Sequence, residues 1–354
     1  MNSKSRVIAH SKPTLLSDDF DAVNDVLASG MIASLSKVED FESNFCDFVG
    51  GKFARSTSSG KDAMLLALFS LGLAPGDEVI LPTYICRSVL DAVELMKLNP
   101  VIVDVSENYC IDPQIVQSRI SSKTRAIVVA HIFGIPAPID AIRKLTRSRN
   151  IFIIEDCAHA FGRKIGKKPL GSLGDVSIFS FHATKLLTTG EGGMLVINNN
   201  KVLRYFGSQV DSPSKFFSLS DLDAALGIAQ LRKFNRFLQI REKLAMSYYS
   251  RLNDFGHVVL PDPKIDGRVF FRFTLRIQEN FEFEDLRKRM EARGVHIRRG
   301  VDLMLHQVKK IKGYPQADAL FEQTVSLPIY PSLTDQDVDY IVKVFREEAV
   351  KAIQ

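Results

Sequence analysis

The sequence predicts an α/β fold, with a large domain built on a mainly parallel sheet flanked by helices and a smaller C-terminal α+β domain. Two observations predict this fold class. From Phe53 onward, short apolar runs alternate with stretches of helical periodicity, which is typical of parallel sheets covered by helices. The chain has 354 residues, more than one hydrophobic core usually organises. We therefore expect a large domain at residues 1–240 and a small domain at 241–354.

Each element of the large domain follows from a local pattern. Two N-terminal helices are expected, ending at Gly30 and Gly50. Another helix starts at Asp112-Pro113, because Asp caps a first turn and Pro needs no backbone donor there. The predicted strands span residues 78–81, 101–105, 126–130, 151–155, 176–181 and 194–197.

The C-terminal part begins with a long helical pattern at residues 221–252 that joins the two domains. The small domain combines both kinds of element. Its predicted strands are 269–277 and 295–298, and its predicted helices are 284–293 and 335–350.

Composition argues against several classes of protein. The chain carries 46 basic and 41 acidic side chains, and a net charge of +5 without an RNA-binding or zinc-finger motif does not favour a nucleic-acid partner. No CxxC pair or metal-type spacing occurs, so we expect neither a metal site nor a disulfide framework, and a reducing compartment fits best. The absence of a signal-peptide core and of a membrane-spanning run predicts a cytoplasmic protein. The cysteines are Cys46, Cys86, Cys110 and Cys157.

One lysine follows a strand end. Residues 176–181 alternate between apolar and small polar side chains, and Lys185 comes next, in a segment that continues to Gly190-Glu191-Gly192-Gly193. Apolar surroundings lower the pKa of a lysine, and a neutral amine can form a Schiff base. Taken alone, Lys185 is more simply interpreted as a solvated surface charge.

The loop at residues 56–63 has the composition of an anion-binding loop. Ser59, Gly60 and Lys61 stand just before a helical pattern, where small residues let backbone N–H groups approach a phosphate at the positive end of the helix. Serine hydroxyls or Lys61 could complete the contacts. An ordinary serine-rich helix cap is the simpler interpretation of this loop alone.

Two carboxylates, Glu155 and Asp156, end an apolar strand, and His159 follows three residues later. Ligands of open α/β sheets bind at the carboxyl ends of the strands. A buried Asp156 needs a cationic partner, which a protonated pyridine nitrogen can supply, and His159 could flank the same ring. Alternatively, Asp156 caps a helix and His159 is a buried histidine with satisfied hydrogen bonds.

Together, these three segments meet the requirements of pyridoxal 5′-phosphate (PLP). The phosphate of PLP needs an anchor, its ring nitrogen needs an anion and its aldehyde needs an amine. The loop at 56–63, Asp156 and Lys185 offer these groups. The sequence therefore predicts PLP as the cofactor.

Further motifs lie along almost the whole chain, at residues 36–42, 59–63, 75–82, 130–134, 154–160, 171–175, 179–185, 190–193, 221–231 and 327–333. With these motifs the chain resembles the DegT/DnrJ/StrS family of PLP-dependent aminotransferases, which act on nucleotide-linked keto sugars. The block from Asp156 to Gly193 is the most specific part. The resemblance implies the PLP-dependent transferase fold of the aspartate aminotransferase superfamily, with a seven-stranded sheet.

The resemblance also implies roles for individual residues. Lys185 would hold the cofactor covalently and then move protons once an amino donor displaces it. Asp156 would pair with the pyridinium nitrogen, and His159 would lie near the ring hydroxyl. The phosphate would be held by Ser180 with the loop Ser59, Gly60 and Lys61, and His182 is a further expected contact.

Three positions depart from the family pattern. Lys61 stands where threonine is usual, so a charged side chain or the backbone alone would meet the phosphate. Cys86 stands where an aromatic side chain commonly stacks on the ring, and Tyr84 is the candidate replacement. Ser218 stands where relatives place an arginine or asparagine that reaches the phosphate across a dimer interface.

The expected reaction is transamination from glutamate, or a similar donor, to a nucleotide-linked keto sugar. Lys185 favours this reaction over a PLP-dependent sugar dehydration, because relatives that dehydrate sugars generally carry histidine there. The departures leave open a non-catalytic regulatory or assembly protein with the same fold. The resemblance further implies a homodimer. The sugar and nucleotide are not readable, because their contacts are expected from variable loops around residues 182, 201–217 and 298–306.

Overall fold

A computed structural model describes residues 7–33, 35–209 and 218–353. The larger part of the chain contains the central sheet. Its strands are β1 (Phe53–Thr57), β2 (Glu78–Pro82), β3 (Asn99–Val103), β4 (Thr124–Ala130), β5 (Phe152–Asp156), β6 (Lys164–Ile165), β7 (Lys168–Pro169), β8 (Val176–Ser180) and β9 (Gly193–Ile197). Strands β6 and β7 form a separate short hairpin.

Seven strands form the central sheet in the order β1-β9-β8-β5-β4-β2-β3. Neighbouring strands run parallel except at β9, which is antiparallel to both β1 and β8. The predicted α/β fold with a mainly parallel seven-stranded sheet is therefore confirmed. The connecting helices are α1 (Ser17–Ser29), α2 (Ser36–Val49), α3 (Gly60–Ser70), α4 (Arg87–Leu95), α5 (Pro113–Arg119), α6 (Ile139–Thr146) and α7 (Asn200–Ser208).

The central strands are apolar on both faces because helices cover both sides of the sheet. Every residue of β8 and β9 is buried, and so are six of the seven residues of β4. Such strands appear in a sequence as continuous apolar runs. For this reason all six predicted strands of the large domain lie within two residues of their observed limits, and the largest shift is that of the run predicted at 101–105, which forms its strand at 99–103.

Strand β1 and the segment at 295–298 differ from the sequence-based expectation. Strand β1 was not predicted, because Arg55, Ser56 and Thr57 interrupt its apolar character. The carboxylate of Glu42 accepts hydrogen bonds from the backbone and hydroxyl of Ser56 and so satisfies these buried polar groups. The strand predicted at 295–298 is wrong, because that segment forms only single bridges to two different partners.

The C-terminal part begins with α8 (Asp221–Leu252), whose 32 residues extend about 48 Å. It continues with the antiparallel strands β10 (Val258–Val259), β11 (Phe273–Ile277) and β12 (Thr324–Leu327), in the order β10-β11-β12. Its remaining helices are α9 (Phe283–Ala292), α10 (Leu305–Val308), α11 (Pro315–Gln323) and α12 (Asp335–Ala352). The strand predicted at 269–277 therefore starts four residues later, and β12 was not predicted.

Two hydrophobic cores share helix α8. Phe234 and Leu238 pack into the larger core, whereas Leu244 and Tyr248 pack into the smaller one. Residues farther along the chain, including Phe271, return to the larger core. The division between residues 240 and 241 stays a prediction, because one continuous helix passes through it.

Among the described residues, no helix combines the length and the apolar character needed to cross a bilayer.

Candidate active site

A cavity of about 250 Å³ opens at the carboxyl ends of β4, β5 and β8, the edge at which α/β sheets bind ligands. The N-terminal ends of α3 and α4 form the opposite side. We call this space the inner cavity. Nine of the predicted site residues line it: Ser59, Gly60, Lys61, Cys86, Asp156, His159, Ser180, His182 and Lys185.

Lys185 is held in the inner cavity by a closed loop that follows β8. The loop is fixed by hydrogen bonds from Lys185 N to His182 O (2.8 Å) and from Phe181 N to Gly192 O (2.8 Å). At Gly192 the backbone φ is 156°, and an added Cβ would lie 2.4 Å from Thr189 Oγ1. Only glycine therefore lets the loop close this tightly.

The environment of Lys185 favours the neutral amine. Burial lowers the pKa of Lys185 to about 8, with the Asp156 carboxylate opposing this effect and the Arg272 guanidinium reinforcing it. The Lys185 Nζ lies 5.1 Å from the centroid of the Phe271 ring. The unprotonated fraction at neutral pH is therefore much larger than for an ordinary lysine, and the neutral amine is the nucleophilic form.

The protein offers the buried Asp156 carboxylate few hydrogen bonds to offset the loss of water. Its Oδ1 accepts a hydrogen bond from Ala158 N (2.9 Å), and Oδ2 has no hydrogen-bond partner among the described residues. Burial raises the pKa of Asp156, although Ala158 N and the charge of Lys185 oppose the shift. A cationic ligand group beside Asp156 would stabilise its ionised form.

The neighbouring Glu155 is saturated by hydrogen bonds. Burial alone would raise the pKa of Glu155, but the His131 ring and backbone N–H groups outweigh it, and the pKa is lowered. A carboxylate oxygen of Glu155, a ring nitrogen of His131 and the sulfur of Cys157 lie within 4.8 Å of one another. The Glu155 oxygens already accept hydrogen bonds, which leaves no carboxylate for a metal. The five donors are His131 Nε2, Gly171 N, Leu173 N, Gly174 N and Ser177 Oγ, at 2.8 to 3.2 Å.

The N-terminus of α3 forms a cradle for an anion. Ser59 caps the helix by accepting a hydrogen bond from Asp62 N. The N–H groups of Gly60 and Lys61 have no partner among the described residues and border the inner cavity. A Cβ added at Gly60 would lie 2.8 Å from Ser180 Cβ, so glycine brings the loop close to the Ser180 hydroxyl. This arrangement suits a phosphate.

A distant part of the chain packs behind His159, which lines the inner cavity. The His159 ring stacks on Phe271 with centroids 4.2 Å apart and planes 16° apart. Val269 N donates a hydrogen bond to Gly134 O (2.8 Å), which ties this segment to the loop after β4. Burial lowers the pKa of His159 well below its usual range, so the ring is neutral.

Two predicted site residues do not line the inner cavity. Tyr84 is fully buried, with its ring packed against those of Tyr109 (5.2 Å) and Phe133 (6.0 Å), so it cannot stack on a ligand there. Ser218 is exposed and borders neither this cavity nor the larger one next to it. Residues 210–217, part of a predicted substrate loop, lie outside the described residues.

A larger cavity of about 780 Å³ adjoins the first, with His182 lining both. We call it the outer cavity. Its lining contains the arginines Arg272, Arg287, Arg298 and Arg299, the histidines His10, His182 and His296, and the acids Glu284, Glu291 and Asp302. Burial lowers the pKa of His10 well below its usual range, and Arg287 is paired with Glu284 and Glu291. The other three arginines face only one further acid, Asp302, in this lining. The outer cavity therefore favours an anionic ligand.

Sequence reasoning missed Phe271 and Arg272. The run Val269-Phe270-Phe271-Arg272-Phe273 carries one signal, a charged residue inside an apolar segment predicted as a strand. Nothing in the local pattern placed Arg272 close to Lys185, which lies 87 positions earlier in the chain.

The donor set of the inner cavity fits PLP. The free amides of α3 suit its phosphate, the incompletely paired Asp156 suits its pyridinium nitrogen, and the amine of Lys185 suits its aldehyde. Fold and cavity together define a PLP-dependent enzyme of the aminotransferase fold.

The chain belongs to the DegT/DnrJ/EryC1/StrS aminotransferase family, whose model matches residues 13–346. The spore coat polysaccharide biosynthesis protein SpsC of Bacillus subtilis (strain 168) is 29% identical over 98% of both chains. GDP-perosamine synthase of Escherichia coli O157:H7 is 30% identical over 95% of this chain and 97% of its own. The solved structure of the aminotransferase TlmJ from Streptoalloteichus hindustanus has a TM-score of 0.91 and 27% identity, and the match covers 98% of this chain and 99% of TlmJ.

Two further solved structures bear on the cofactor and the fold. Spr1654 from Streptococcus pneumoniae in its PMP form matches with a TM-score of 0.90 and 25% identity over 98% of both chains. The E. coli GDP-4-keto-6-deoxy-D-mannose-3-dehydratase with bound hydrated PLP matches with a TM-score of 0.86, over 96% of this chain and 100% of its own, but at 21% identity it shows the fold alone. The predicted cofactor, PLP, is confirmed.

Proposed function

We propose that this chain transfers the amino group of glutamate, or of a similar amino acid, to the keto carbon of a nucleotide-linked sugar. The observation that carries the proposal is the amine of Lys185 beside the Asp156 carboxylate, with a cation-lined cavity of about 780 Å³ next to them. Guanidinium groups bind phosphate oxygens through charge-assisted hydrogen bonds. The outer cavity thus suits a nucleoside diphosphate whose sugar reaches toward Lys185.

Each polar group of the inner cavity has a role in this proposal. When bound, PLP supplies an electron sink for the negative charge that develops on the carbon losing its proton. Asp156 would hold the protonated pyridine nitrogen, and the Gly60 and Lys61 amides with the Ser180 hydroxyl would bind the phosphate. Lys185 Nζ would accept the proton from the donor carbon and return it to an adjacent position. The stacked His159 and Phe271 rings would exclude water from this side.

The identity of residue 185 favours amino transfer over sugar dehydration. A lysine with a pKa of about 8 can both carry the cofactor and move a proton as a free amine. The resemblance noted above places histidine at this position in dehydrating relatives. A non-catalytic protein of the same fold would explain the departures from the family pattern at Lys61, Cys86 and Ser218. The first experiment distinguishes such a protein from an active aminotransferase.

The first experiment follows one half of the reaction. Protein loaded with PLP should show the visible absorption of lysine-bound cofactor, and glutamate should convert it to the PMP spectrum with one equivalent of 2-oxoglutarate per site. Lys185→Ala should show neither signal. A wild-type band that glutamate leaves unchanged, or no band at all, would favour the non-catalytic reading, and turnover of a keto sugar to a dehydrated product without an amino donor would favour the dehydratase.

The second half tests the acceptor. The PMP-loaded enzyme should aminate at least one keto sugar linked to GDP, UDP or dTDP, detected as a mass change in the sugar nucleotide. Amination of small 2-oxo acids alone would contradict the proposed acceptor class while leaving transamination intact.

We further propose a homodimer, as the resemblance implies. It is supported by apolar side chains exposed in the N-terminal segment, among them Phe20, Leu27, Met31 and Ile32, at 47 to 58% of their surface. Sedimentation should give twice the chain mass, and Phe20→Glu with Ile32→Glu should lower it. A wild-type monomer that still transaminates would rule the dimer out. The cytoplasmic location and the lack of a nucleic-acid partner stay predictions.

A further inference from the structure

A further cavity, of about 740 Å³, lies at the amino-terminal end of β5, on the edge of the central sheet opposite the active site. We call it the basic cavity. It is formed where the end of α6, the start of β5 and the start of α7 meet. None of its lining residues lines the inner or the outer cavity. Phe152 in its lining and Asp156 in the inner cavity begin and end β5, about 13 Å apart along the strand.

The lining of the basic cavity has five cationic side chains and two acids, Asp140 and Asp175. The fold already uses Asp175, because its Oδ2 accepts a hydrogen bond from Ile153 N (2.8 Å) and its Oδ1 accepts one from Asn199 Nδ2 (2.7 Å). None of the five cations forms an ion pair or a side-chain hydrogen bond with a described residue. These cations are Arg143, Lys144, Arg147, Arg149 and Lys201.

Helix stability accounts for only part of this charge. The helix dipole favours cations at the end of α6, but Arg143 and Arg147 are four positions apart, a spacing at which like charges repel. Lys201 lies in the first turn of α7, the end at which the dipole disfavours a cation. Several surface arginines elsewhere are each paired with two carboxylates, namely Arg251, Arg287 and Arg293.

The shape of the basic cavity favours a small ligand over a flat anionic surface. Cations from three segments of the chain converge on one concave space, and its volume lies in the range of about 300–1,000 Å³ that is typical of small-molecule sites. Guanidinium groups match phosphate oxygens through paired, charge-assisted hydrogen bonds. Linked phosphates present several such oxygens to several cations at once, which a single carboxylate cannot do.

We propose that the basic cavity binds a ligand that carries two or more linked phosphates, at a site separate from the active site. The inference does not depend on the proposed function, because no residue of the basic cavity has a role in it. Arg147 and Arg149, both exposed in the turn between α6 and β5, would make the main contacts. Lys201, whose Nζ lies 6.0 Å from the centroid of the Phe152 ring, would close the opposite side.

Calorimetry of the PLP-loaded protein with inorganic pyrophosphate tests the binding. Arg147→Gln with Arg149→Gln should weaken pyrophosphate binding at least about tenfold, as expected for losing two charge-assisted contacts. Arg232→Gln with Arg236→Gln is the matched control, because it removes the same charge from exposed positions of α8 and should leave the affinity unchanged. Equal affinity of the two double variants for pyrophosphate, or no binding by the wild type, would overturn the inference.

Hydrogen–deuterium exchange locates the site independently of the affinity. Pyrophosphate should slow amide exchange at residues 143–152 and 199–204 in the wild type, but not in the variant with Arg147→Gln and Arg149→Gln. Protection confined to the residues of the inner or outer cavity would overturn the inference. So would protection of these segments by phosphatidylglycerol vesicles without protection by pyrophosphate, because it would assign a membrane surface instead.

The same exchange measurement with UDP distinguishes two sources of linked phosphates. Protection of residues 143–152 at lower concentrations of UDP than of pyrophosphate would support the inference and assign a nucleotide, whose base adds contacts such as that with Phe152. Protection at equal concentrations would support it and assign the linked phosphates alone.

Discussion

Glu155 and Asp156 are consecutive carboxylates at the end of β5, yet Glu155 accepts five hydrogen bonds whereas the Asp156 side chain accepts one from the described residues. Successive side chains of a strand point to opposite faces of a sheet, so neighbours in sequence meet different surroundings. Glu155 holds the loop at 171–174 against the sheet, and Asp156 borders the inner cavity. Stability and chemistry can therefore be tested separately at adjacent positions.

Replacing Glu155 should affect folding. Glu155→Gln removes the charge that several buried donors share, and we expect the free energy of unfolding in urea to fall by about 3 kcal/mol. Because the pKa of Glu155 is lowered in the fold, its contribution is present above the ordinary glutamate pKa and is lost as the pH falls through the lower folded value. The variant should therefore lose less stability on acidification than the wild type. If the free energy of unfolding fell equally with decreasing pH in the variant and in the wild type, Glu155 would not be ionised in the fold as described.

Replacing Asp156 should affect chemistry. We expect Asp156→Asn to fold with a free energy of unfolding within about 1 kcal/mol of the wild type, because a buried carboxylate of raised pKa stabilises the fold little. The glutamate half-reaction should slow by at least about 100-fold, since the counter-charge of the pyridinium is lost. Stopped-flow absorbance and urea unfolding measure the two effects. A large loss of stability with normal kinetics would reverse the roles assigned to the two carboxylates.

The reactivity of Lys185 should follow its lowered pKa. The ordinary lysine value is 10.5, and burial lowers the pKa of Lys185 to about 8, so the neutral amine should accumulate as the pH rises through about 8. Competitive acylation of the cofactor-free protein, read by peptide mass spectrometry, should give that midpoint for Lys185. The charge of Asp156 raises this pKa, so Asp156→Asn should move the midpoint to lower pH. A midpoint near 10 would contradict the buried environment.

Gly60 should tolerate no side chain. A Cβ there would lie 2.8 Å from Ser180 Cβ, so Gly60→Ala should displace the anion cradle and weaken PLP binding about 10-fold, as modest overpacking does. Gly207→Ala in α7 is the control, because an added Cβ meets nothing within 4 Å there and should leave PLP affinity unchanged. Equilibrium titration of the cofactor-free proteins measures both. Equal PLP affinity for the two variants would show that the N-terminus of α3 does not bind the phosphate of PLP.

Arg241 should join the two cores. Its Nη1 donates to the carbonyls of Phe270, Phe271 and Ile329, which links α8 to the segment that packs against His159 of the inner cavity. We expect Arg241→Met to lower the free energy of unfolding by about 2–4 kcal/mol, because buried carbonyls lose their donor. Arg236→Met, an exposed position of the same helix, should change it by less than about 0.5 kcal/mol. Equal effects at the two positions would argue against this link.

The sequence predicted the parallel sheet because doubly covered strands are continuous apolar runs, and it predicted Lys185, Asp156 and Ser59-Gly60-Lys61 because each lies at the end of such an element. It did not place Phe271 or Arg272, which reach the site only through the return of the chain to the larger core. Nor did it show that Tyr84 points into an aromatic cluster. Side-chain direction after a strand end depends on tertiary packing, which short-range patterns do not contain.

The most direct test asks which amine carries the cofactor. Borohydride reduction of the PLP-loaded protein, followed by peptide mass spectrometry, should place the phosphopyridoxyl group on Lys185, at one per chain. Lys61 is the internal comparison, because it borders the same cavity from the α3 side. Label on Lys185 that disappears in Lys185→Ala is the predicted result. Label on Lys61 in the wild type, or no covalent label, would contradict the active site described here.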